Sequence, residues 1–483
     1  MIYRVSCCLQ EDQDKPCNKP TKYHSMSNPP LAKRHKTEVV VAEAGNDVAI
    51  STSSSPATFL TWNCNGLASR CNWNAPELKQ LLKNTNYPDV ICLQEVRLKA
   101  SSSSIRGIPL PSDYQNGVKA IMKELFSEYD TYWSLADKKY AGTLTLLHKR
   151  LQCTQLAVET AFTTQSALTL LLKKYKLTRQ DIGLSHENAT TATTNTSTSP
   201  VKKARQTQAT MKSFFTPKAS PQKSLVPITG NKHHEEGRFQ FFSFPHMDLI
   251  QTYVPNNGSK SESYQRRREW DKDMKDFLVA RKNLLEKAKQ PQRPLLWCGD
   301  CNVAKTYHDG SHWQQQNDGS IYEWWKDESK CFAVGQGGEK LDPNRDAGDK
   351  GIASFTDNER RRFLDILETA DLSDVWRELH PDGVLTITDD DKKDNNRRFP
   401  TIWDRPNYTW RGHLSKEGSK FQSKYEGKAQ RIDYFLLSPS EVTQEVVESC
   451  DILGYGKTRE GFCGSDHCPQ LLKLKKPFSN GVE

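Results

Sequence analysis

Acidic residues stand beside apolar, strand-like runs at four places in this sequence. They are Glu95 after VICLQ, Asp300 with Asn302 after PLLWCG, Asp433 within RIDYFLL, and Asp466 with His467 before CPQLLKL. A buried carboxylate is costly unless it has a partner or binds a metal. Any single one could be held by backbone amides or by an arginine. Four such positions together indicate a shared site.

Further polar residues stand at strand ends, namely Asn63 and Asn65 in TWNCNG, and Tyr253 and Asn256 in YVPNNG. The whole set has four carboxylates, four amides, one histidine and one tyrosine, with no tetrad of histidine and cysteine. Oxygen-rich ligation of this kind favours Mg²⁺, with Mn²⁺ as the alternative, over zinc. A divalent cation and hydrogen-bond donors suit phosphodiester hydrolysis, because that reaction places extra negative charge on phosphorus. A carboxylate is also needed to take a proton from the attacking water.

These residues need strands and helices that bring distant parts of the chain together. Apolar runs predict strands at FLTWN, DVICLQ, YDTYWSL, GTLTLLH, RFQFFSF, DLIQTYV, PLLWCG, RIDYFLLS and PQLLKLK. Helices are predicted at about 75–83, 117–126 and 261–289, and after the capping-box spacing Thr356-x-x-Glu359. This alternation, with several buried strands, favours an α/β sandwich, in which ligands bind at strand ends.

The composition along the chain predicts one catalytic domain with appendages. The predicted parts are a disordered basic and serine-rich arm at 1–57, the catalytic domain at 58–148 and 237–476, a largely flexible insert at 149–236, and a short tail at 477–483. Within the insert, residues 188–234 contain no Asp or Glu and are dominated by Thr, Ser and Ala. Such a stretch cannot bury enough apolar area to fold by itself.

The overall composition limits the classes of partner and compartment. A formal net charge of +9 suits a polyanion partner. No apolar run approaches the ~18 residues of a membrane span, so an integral membrane protein is excluded. The thirteen cysteines are scattered and odd in number, which favours a reducing compartment. The basic cluster Lys33, Arg34 and Lys36 indicates the nucleus, with an organelle as the alternative location.

Six segments occur along the chain in the order TWNCNGL, ICLQEV, YVPNNG, WCGDCNV, RIDYFLLS and GSDHCP. In this order they resemble the successive motifs of the exonuclease III family of apurinic/apyrimidinic (AP) endonucleases, within the endonuclease/exonuclease/phosphatase superfamily. The resemblance covers roughly 58–148 and 237–476. It implies a four-layer, DNase I-like α/β sandwich of two packed mixed sheets flanked by helices, with the site at one edge of the sheets.

The resemblance also assigns metal-binding roles to individual positions. Glu95 corresponds to the main metal carboxylate of the family, and Asn63, Asn65 and Asp466 complete the metal environment directly or through water. The full set of predicted metal-site residues is Glu95, Asn63, Asn65, Asp466, Asp300 and Asn302. Some relatives carry aspartate at the position of Asn65, so weaker metal binding is expected there.

The catalytic roles follow in the same way. Asp300 matches the residue usually assigned to activating the attacking water. Asp433 and His467 correspond to a hydrogen-bonded pair, which would fix the histidine tautomer and favour its protonated form. The residues that correspond to groups holding the scissile phosphate are Asn302, Asn256 and Tyr253.

DNA contacts are predicted in three places. The family's pocket for the flipped abasic sugar corresponds to Trp410 and Ile432, although Trp410 could instead be a core aromatic. Gln430 stands where some relatives have tryptophan, so a less selective pocket is expected. Arg70 and Arg97 lie in loops after strand-end motifs and are predicted to contact phosphates. The charged helix offers further DNA-backbone contacts, or else a solvated face: Lys260, Arg266, Arg267 and Arg268.

The insert contains QATMKSFF, whose spacing resembles the PIP box that binds the replication sliding clamp, proliferating cell nuclear antigen. One turn of 3₁₀ helix would place Met211 and Phe214 on one side, joined by Phe215, with Gln208 at the edge. Two adjacent phenylalanines in a polar stretch are a liability unless something buries them. The alternative is that they dock onto the catalytic domain itself.

The leading prediction is a Mg²⁺-dependent base-excision-repair nuclease. It would incise DNA 5′ to an abasic site, leaving a 3′-hydroxyl and a 5′-deoxyribose phosphate. A 3′-phosphodiesterase or 3′→5′ exonuclease activity would accompany or replace that incision. The expected partners are duplex DNA with abasic sites or 3′-blocked ends, and the sliding clamp, bound by a monomer. The alternatives are a tyrosyl-DNA phosphodiesterase, a small-molecule phosphatase, or a scaffold without activity, which the complete carboxylate set disfavours.

Overall fold

The computed structural model describes residues 55–102, 105–115, 118–151, 158–184, 235–258, 260–311, 313–315, 320–323, 346–381, 383, 406–412, 428–456 and 458–479. These residues belong to one compact unit, Ser51–Glu483. The clamp-like peptide at 208–215 and nearly all of the predicted arm lie outside the described residues. What the sequence predicts for them stays a prediction.

Two six-stranded sheets carry the fold. Their strands are numbered along the chain. The first sheet holds, in spatial order, β17 (Val447–Ile452), β18 (Gln470–Leu474), β1 (Thr58–Asn63), β2 (Val90–Gln94), β6 (Thr143–His148) and β5 (Tyr129–Ser134). The second holds β13 (Ser373–Asp374), β16 (Asp433–Leu437), β10 (Leu295–Asp300), β9 (Asp248–Tyr253), β8 (Phe239–Ser243) and β7 (Glu159–Ala161).

Each sheet has one parallel pair at its centre, β1 with β2 and β9 with β10. The other neighbours within these sheets are antiparallel, so both sheets are mixed, as predicted. The shorter strand pairs in the described part of the chain are β3 (Ala100–Ser102) with β4 (Ile105–Pro109), β11 (Trp313–Gln315) with β12 (Ile321–Glu323), and β14 (Trp410–Arg411) with β15 (Ala429–Gln430).

Helices lie between the strands along the chain. They are α1 (Leu67–Trp73), α2 (Ala75–Asn84), α3 (Pro111–Gln115), α4 (Val118–Leu125), α5 (Thr164–Tyr175), α6 (Ser261–Lys287), α7 (Asp357–Ala370) and α8 (Val375–Leu379). The capping box predicted at Thr356 and Glu359 starts α7. Among the described helices, none has the length and apolar character needed to cross a membrane.

Successive residues of the central strands face two different cores. In β10, Leu295 and Trp297 contribute to one apolar cluster, whereas Leu296 and Cys298 contribute to another, because strand side chains alternate between faces. The second cluster also contains Phe59 from the first sheet, so it lies between the two sheets. The outer faces are covered by α5, α6 and α7 on one side and by α1, α2 and α4 on the other. The predicted four-layer α/β sandwich is confirmed.

The sandwich includes part of the segment that the sequence assigns to the insert. Residues 158–184 contain β7 and α5, and β7 pairs with β8 at the edge of the second sheet. Leu168 and Leu171 of α5 are buried against the same cluster as Trp270 of α6. The segment SALTLLLKKYKL, whose apolar spacing predicts a helix, therefore forms a helix that packs in the core of the sandwich.

A buried ion network joins the loop after β10 to the start of β16. Arg431 is fully buried, with Nη2 lying 2.7 Å from Asp309 Oδ1 and 2.6 Å from Asp374 Oδ2. Burial raises the pKa of Asp309, but the positive charges of Arg431 and Arg377 outweigh it and lower that pKa to about 2. Because Arg431 precedes Asp433 by two positions, the network fixes the strand that carries Asp433.

Candidate active site

The two central parallel pairs end at the same edge of the sandwich. Asn63 at the end of β1 is in register with Gln94 of β2, the residue before Glu95. Asp300 at the end of β10 is in register with Tyr253 of β9 on one side and with Asp433 of β16 on the other. The register alone therefore brings together the strand-end residues within each sheet.

Side-chain hydrogen bonds then join the two sheets. Asn63 Nδ2 donates to Asp300 Oδ2 at 2.9 Å and to Glu95 Oε1 at 3.2 Å. The Tyr253 hydroxyl donates to the same Glu95 oxygen at 2.5 Å. Asn63 and Glu95 belong to the first sheet, and Asp300 and Tyr253 belong to the second. The residues that the sequence predicts to share a site therefore converge across the interface between the sheets.

The loop before β18 brings Asp466 and His467 to this edge. Asn65 Nδ2 donates to Asp466 Oδ1 at 2.6 Å, and the Trp410 indole N–H donates to Asp466 Oδ2 at 3.2 Å. The Ser465 hydroxyl donates to the Asn63 carbonyl oxygen at 2.7 Å, which anchors the loop to the end of β1.

Asp433 and His467 form a buried pair. His467 Nδ1 lies 2.8 Å from Asp433 Oδ2, and both side chains are buried. Burial lowers the pKa of His467, but the carboxylate of Asp433 outweighs it and raises that pKa to about 10. The imidazole therefore carries a proton on each nitrogen at neutral pH, and Nε2, which Asp433 does not engage, can donate a hydrogen bond.

Asp300 has the properties of a general base. The residue is 1% exposed, and burial together with the negative charge of Asp433 raises its pKa to about 7. Ligand atoms of Asp300, Asp433 and His467 lie within 4.8 Å of one another. A carboxylate whose pKa lies near the working pH is basic enough to take a proton from water, and a large fraction of it is still ionised and able to do so.

Two amides stand beside Asp300. Asn302 Nδ2 donates to Asp300 Oδ2 at 3.1 Å and to the Val254 carbonyl at 2.9 Å, and Asn256 Nδ2 donates to Asn302 Oδ1 at 3.0 Å. Asn302 has a φ of 47°, a left-handed value that costs free energy in a non-glycine residue. Asn65 and Glu95 share this conformation, with φ values of 47° and 51°. Three of the site residues are thus held in a left-handed backbone conformation.

The described residues provide a donor set that fits a hard divalent cation. Glu95 and Asp466 offer carboxylate oxygens, and the amides of Asn63 and Asn65 connect the two carboxylates through hydrogen bonds. Among the described residues, Asp433 Oδ1 is buried without a hydrogen-bond partner, so this oxygen is available as a further ligand atom in the same centre. Oxygen ligands and excess negative charge are what Mg²⁺ and Mn²⁺ require.

The structure corrects the prediction that Arg267 contacts the DNA backbone. Arg267 is 1% exposed, and its Nε donates to Asp271 Oδ1 at 2.8 Å. Its Nη1 donates to the carbonyls of Pro255 and Asn302, both at 3.1 Å. Because α6 begins against the loops that follow β9 and β10, this position faces inward. Arg267 therefore holds the backbone of the loops that carry the two site amides.

The other predicted arginine contacts lie closer to solvent. Arg97 is an exposed residue whose side chain forms an ion pair with Glu95. Arg266 forms an ion pair with Glu236, with Nη1 lying 3.3 Å from Oε1. Arg70 is half-buried and donates to the Cys463 carbonyl at 3.4 Å. A DNA contact by these three arginines stays a prediction.

Arg238 is a residue of the site that the sequence analysis missed. Its buried guanidinium lies 4.4 Å from the Tyr253 ring centroid and 5.2 Å from that of Tyr140, and Nη1 donates to the Tyr253 carbonyl at 3.1 Å. Glu236 balances its charge. The sequence gives one signal, an arginine at the start of the strand-like run RFQFFSF. An arginine at that position would ordinarily be interpreted as a surface residue.

The residues predicted to form a sugar pocket lie next to Asp466 and His467. Ile432 is buried in a small apolar cluster with Ala304, Ile352 and Phe355, and Trp410 packs against this cluster while half-buried. Gln430 is 4% exposed and pairs with Trp410 between β15 and β14. The apolar surface is thus beside the site, and its role in binding a sugar stays a prediction.

Comparisons with known proteins show what this chain is similar to. The model of the endonuclease/exonuclease/phosphatase family matches residues 60–467. A DNA-(apurinic or apyrimidinic site) endonuclease of Arabidopsis thaliana is 28% identical over 438 residues, which cover 88% of this chain and 86% of that protein. A protein of the same name from Plasmodium falciparum is 27% identical. That match covers 92% of this chain but only 58% of the Plasmodium protein. A solved AP endonuclease from Leishmania major is 18% identical, with a TM-score of 0.47, covering 88% of this chain and 89% of that one.

The resemblance that the six motifs indicate is confirmed by these matches, and the chain is an enzyme of the nuclease and phosphodiesterase type. The matched range includes β2, β9 and β10, all of β1 except its first two residues, and the Asp433–His467 pair. The chain belongs to the endonuclease/exonuclease/phosphatase family.

Proposed function

We propose that this protein is a DNA-repair nuclease that hydrolyses the phosphodiester 5′ to an abasic site, leaving a 3′-hydroxyl and a 5′-deoxyribose phosphate. The observation that carries the proposal is the single buried centre in which Asp300 lies beside the Asp433–His467 pair and Asn63 joins Asp300 to Glu95. The relatives named as AP endonucleases support DNA as the substrate.

Each residue of the centre has a defined part in the reaction. Asp300 takes the proton of the water as its oxygen forms a bond to phosphorus. The bond from phosphorus to the 3′-oxygen breaks, and that oxygen takes up a proton from solvent to become the 3′-hydroxyl. His467 donates from Nε2 to a phosphate oxygen as negative charge develops there. Asn302, Asn256 and Tyr253 hold the remaining oxygens, so the phosphate is oriented before the attack.

We propose Mg²⁺ as the resident cation, with Mn²⁺ able to replace it. Glu95 and Asp466 would hold the ion, with Asn63 and Asn65 in its environment. When bound, the cation supplies positive charge that stabilises the phosphate and the departing 3′-oxygen. The ion pair between Arg97 and Glu95 would open when the cation binds, because the Glu95 carboxylate would then contact the cation in place of the guanidinium.

The same centre suits 3′-phosphodiesterase and 3′→5′ exonuclease activities, because each breaks a phosphate ester bond to a 3′-oxygen. Gln430 supports a substrate range wider than abasic sites, since an amide replaces an aromatic wall beside Trp410. Duplex DNA with an abasic site or a blocked 3′ end is therefore the proposed substrate, bound by a monomer.

The first test incubates the protein with a duplex that holds one abasic analogue, with Mg²⁺ or with a chelator. We expect incision 5′ to the analogue with Mg²⁺ and none with the chelator, because the buried carboxylates need the cation. A 3′-recessed duplex in parallel measures exonuclease activity. Hydrolysis of a 5′-tyrosyl-DNA or of an inositol phosphate, with the abasic duplex untouched, would contradict the proposal.

We further propose that the insert tethers the enzyme to the sliding clamp through Gln208, Met211, Phe214 and Phe215. The tether would raise the local concentration of enzyme at DNA ends without changing the chemistry. The nucleus is the proposed location, because the clamp acts there and Lys33, Arg34 and Lys36 form a basic cluster suited to nuclear import.

The clamp proposal predicts that Phe214→Ala with Phe215→Ala abolishes clamp binding in a pulldown, because the apolar plug is removed. Cleavage of a naked oligonucleotide should stay at the wild-type rate. The matched control is Lys218→Ala with Lys223→Ala, which changes the same insert outside the motif. Clamp binding that survives the phenylalanine changes would refute the docking role.

A further inference from the structure

Trp73 is an unusually exposed aromatic side chain at the end of α1. Its side chain is 81% exposed, whereas the next most exposed large apolar residue among the described residues, Ile108, is 55% exposed. An exposed indole offers a large, flat apolar face, and tryptophan is enriched where proteins contact other molecules.

The position of α1 ties Trp73 to the candidate active site. The helix starts two residues after Asn65, whose amide binds Asp466. Its other end packs tightly against the loop that leads to Asp466. A Cβ added to Gly464 of that loop would lie only 2.3 Å from Arg70 Nη1 and from Asn74 Oδ1. Trp73 therefore ends a helix whose last turn is firmly packed against the loop that leads to Asp466.

Arg70 lies one helical turn before Trp73, so the two side chains are neighbours on the helix surface. Nη1 of the half-buried Arg70 guanidinium donates to the Cys463 carbonyl at 3.4 Å. The accessible edge of a half-buried guanidinium attracts an anion of matching geometry, such as a phosphate. A second half-buried arginine, Arg459, lies on the loop that packs on α1.

We propose that Trp73 stacks on an unpaired base next to the incision site while Arg70 binds the adjoining phosphate. The inference rests on the proposed function, which puts DNA in the neighbouring centre, and it adds a preference for locally unpaired substrates. An exposed indole needs a base with a free face, and bases inside an intact duplex are already stacked on both sides. The cationic neighbours favour a nucleic-acid strand over an apolar protein partner.

The test measures binding by fluorescence anisotropy, with chelator present so that no DNA is cut. Two duplexes carry the same abasic analogue, one fully paired around it and one with a short run of mismatches beside it. We expect the wild-type protein to bind the mismatched duplex tighter by roughly five- to a hundredfold, the range expected for stacking of one base. Trp73→Ala should remove this preference, and Trp73→Phe should retain most of it.

Leu364→Ala is the matched control, because Leu364 is also exposed and apolar but lies on α7 in the outer helix layer. It should keep the wild-type preference. Thermal melts should show that Trp73→Ala folds normally, since an exposed side chain contributes little to the core. Intrinsic fluorescence adds a direct signal, as quenching by the mismatched duplex should disappear in Trp73→Phe.

The outcomes separate this inference from the proposed function. If Mg²⁺ supports no incision of either duplex, the nuclease proposal itself fails. If both duplexes are incised and Trp73→Ala keeps the preference for mismatches, only the stacking role is overturned. If Trp73→Ala binds both DNAs like the wild type but loses a protein partner, the surface is a protein interface and the inference is also overturned.

Discussion

Asp300→Asn is expected to lower the incision rate by about 10²–10⁴-fold while DNA binding stays largely intact, the range for loss of a general base. The amide keeps the shape of the carboxylate and can still accept the Asn302 backbone N–H, which lies 2.8 Å from Asp300 Oδ1. It cannot take a proton from water. Burial and Asp433 raise the pKa of Asp300 to about 7, so the wild-type group is suited to that task near neutral pH.

The measurement is a single-turnover incision assay on the abasic duplex, with affinity measured separately in chelator. Asp365→Asn is the matched control, because it makes the same chemical change at an exposed ion pair with Lys275 between α7 and α6. It should leave the rate unchanged. A rate above about a tenth of the wild-type value for Asp300→Asn would contradict the general-base role.

His467→Asn is expected to lower the rate by about 10²–10³-fold, the cost of removing one donor to a developing negative charge. An asparagine can place Nδ2 near the position of His467 Nδ1, so the hydrogen bond to Asp433 can persist. The substitution removes Nε2 and the positive charge, which are the groups proposed to act on the phosphate. The fold is retained while the donor is lost.

The same incision assay measures this effect, and a thermal melt confirms that the variant is folded. His246→Asn provides the control, since His246 lies in the turn between β8 and β9, at the end of β9 opposite to Tyr253. It should leave incision unaffected. A loss smaller than about threefold for His467→Asn would rule out a donor role of the size expected from such groups.

The strand-end residues could be predicted because their signal is local. An apolar run followed by a carboxylate, as at Glu95 and Asp300, shows both the strand and its exposed end within a few positions. Parallel pairing then places these ends at one edge of each sheet. The arrangement of the two sheets was predicted from the order of the motifs, because that order resembles a family of known fold.

The roles of Arg267 and Arg238 could not be predicted in this way. The carbonyls that Arg267 binds lie 12 and 35 residues away in sequence, and the rings beside Arg238 come from Tyr140 and Tyr253. Local sequence shows only that a residue is cationic, and a cation is exposed in most proteins. Its burial depends on partners that only the folded chain assembles.

The extent of the sandwich into the insert was underestimated for a related reason. Residues 158–184 lie between the two ranges that the motifs cover, 58–148 and 237–476, so the sequence analysis assigned them to the insert. The apolar residues of α5 pack on α6, an element more than eighty positions further along the chain. Only that later partner turns a weak helical pattern into part of the core.

The placement of β18 has a consequence for the biogenesis of the enzyme. This strand comes near the end of the sequence but pairs with β1, the first strand of the sheet, and the loop before it supplies Asp466 and His467. Native contacts of such long sequence separation form late and slow the folding of a chain. The centre that contains Asp466 and His467 is therefore assembled only after β18 has paired with β1 across more than four hundred positions of the chain.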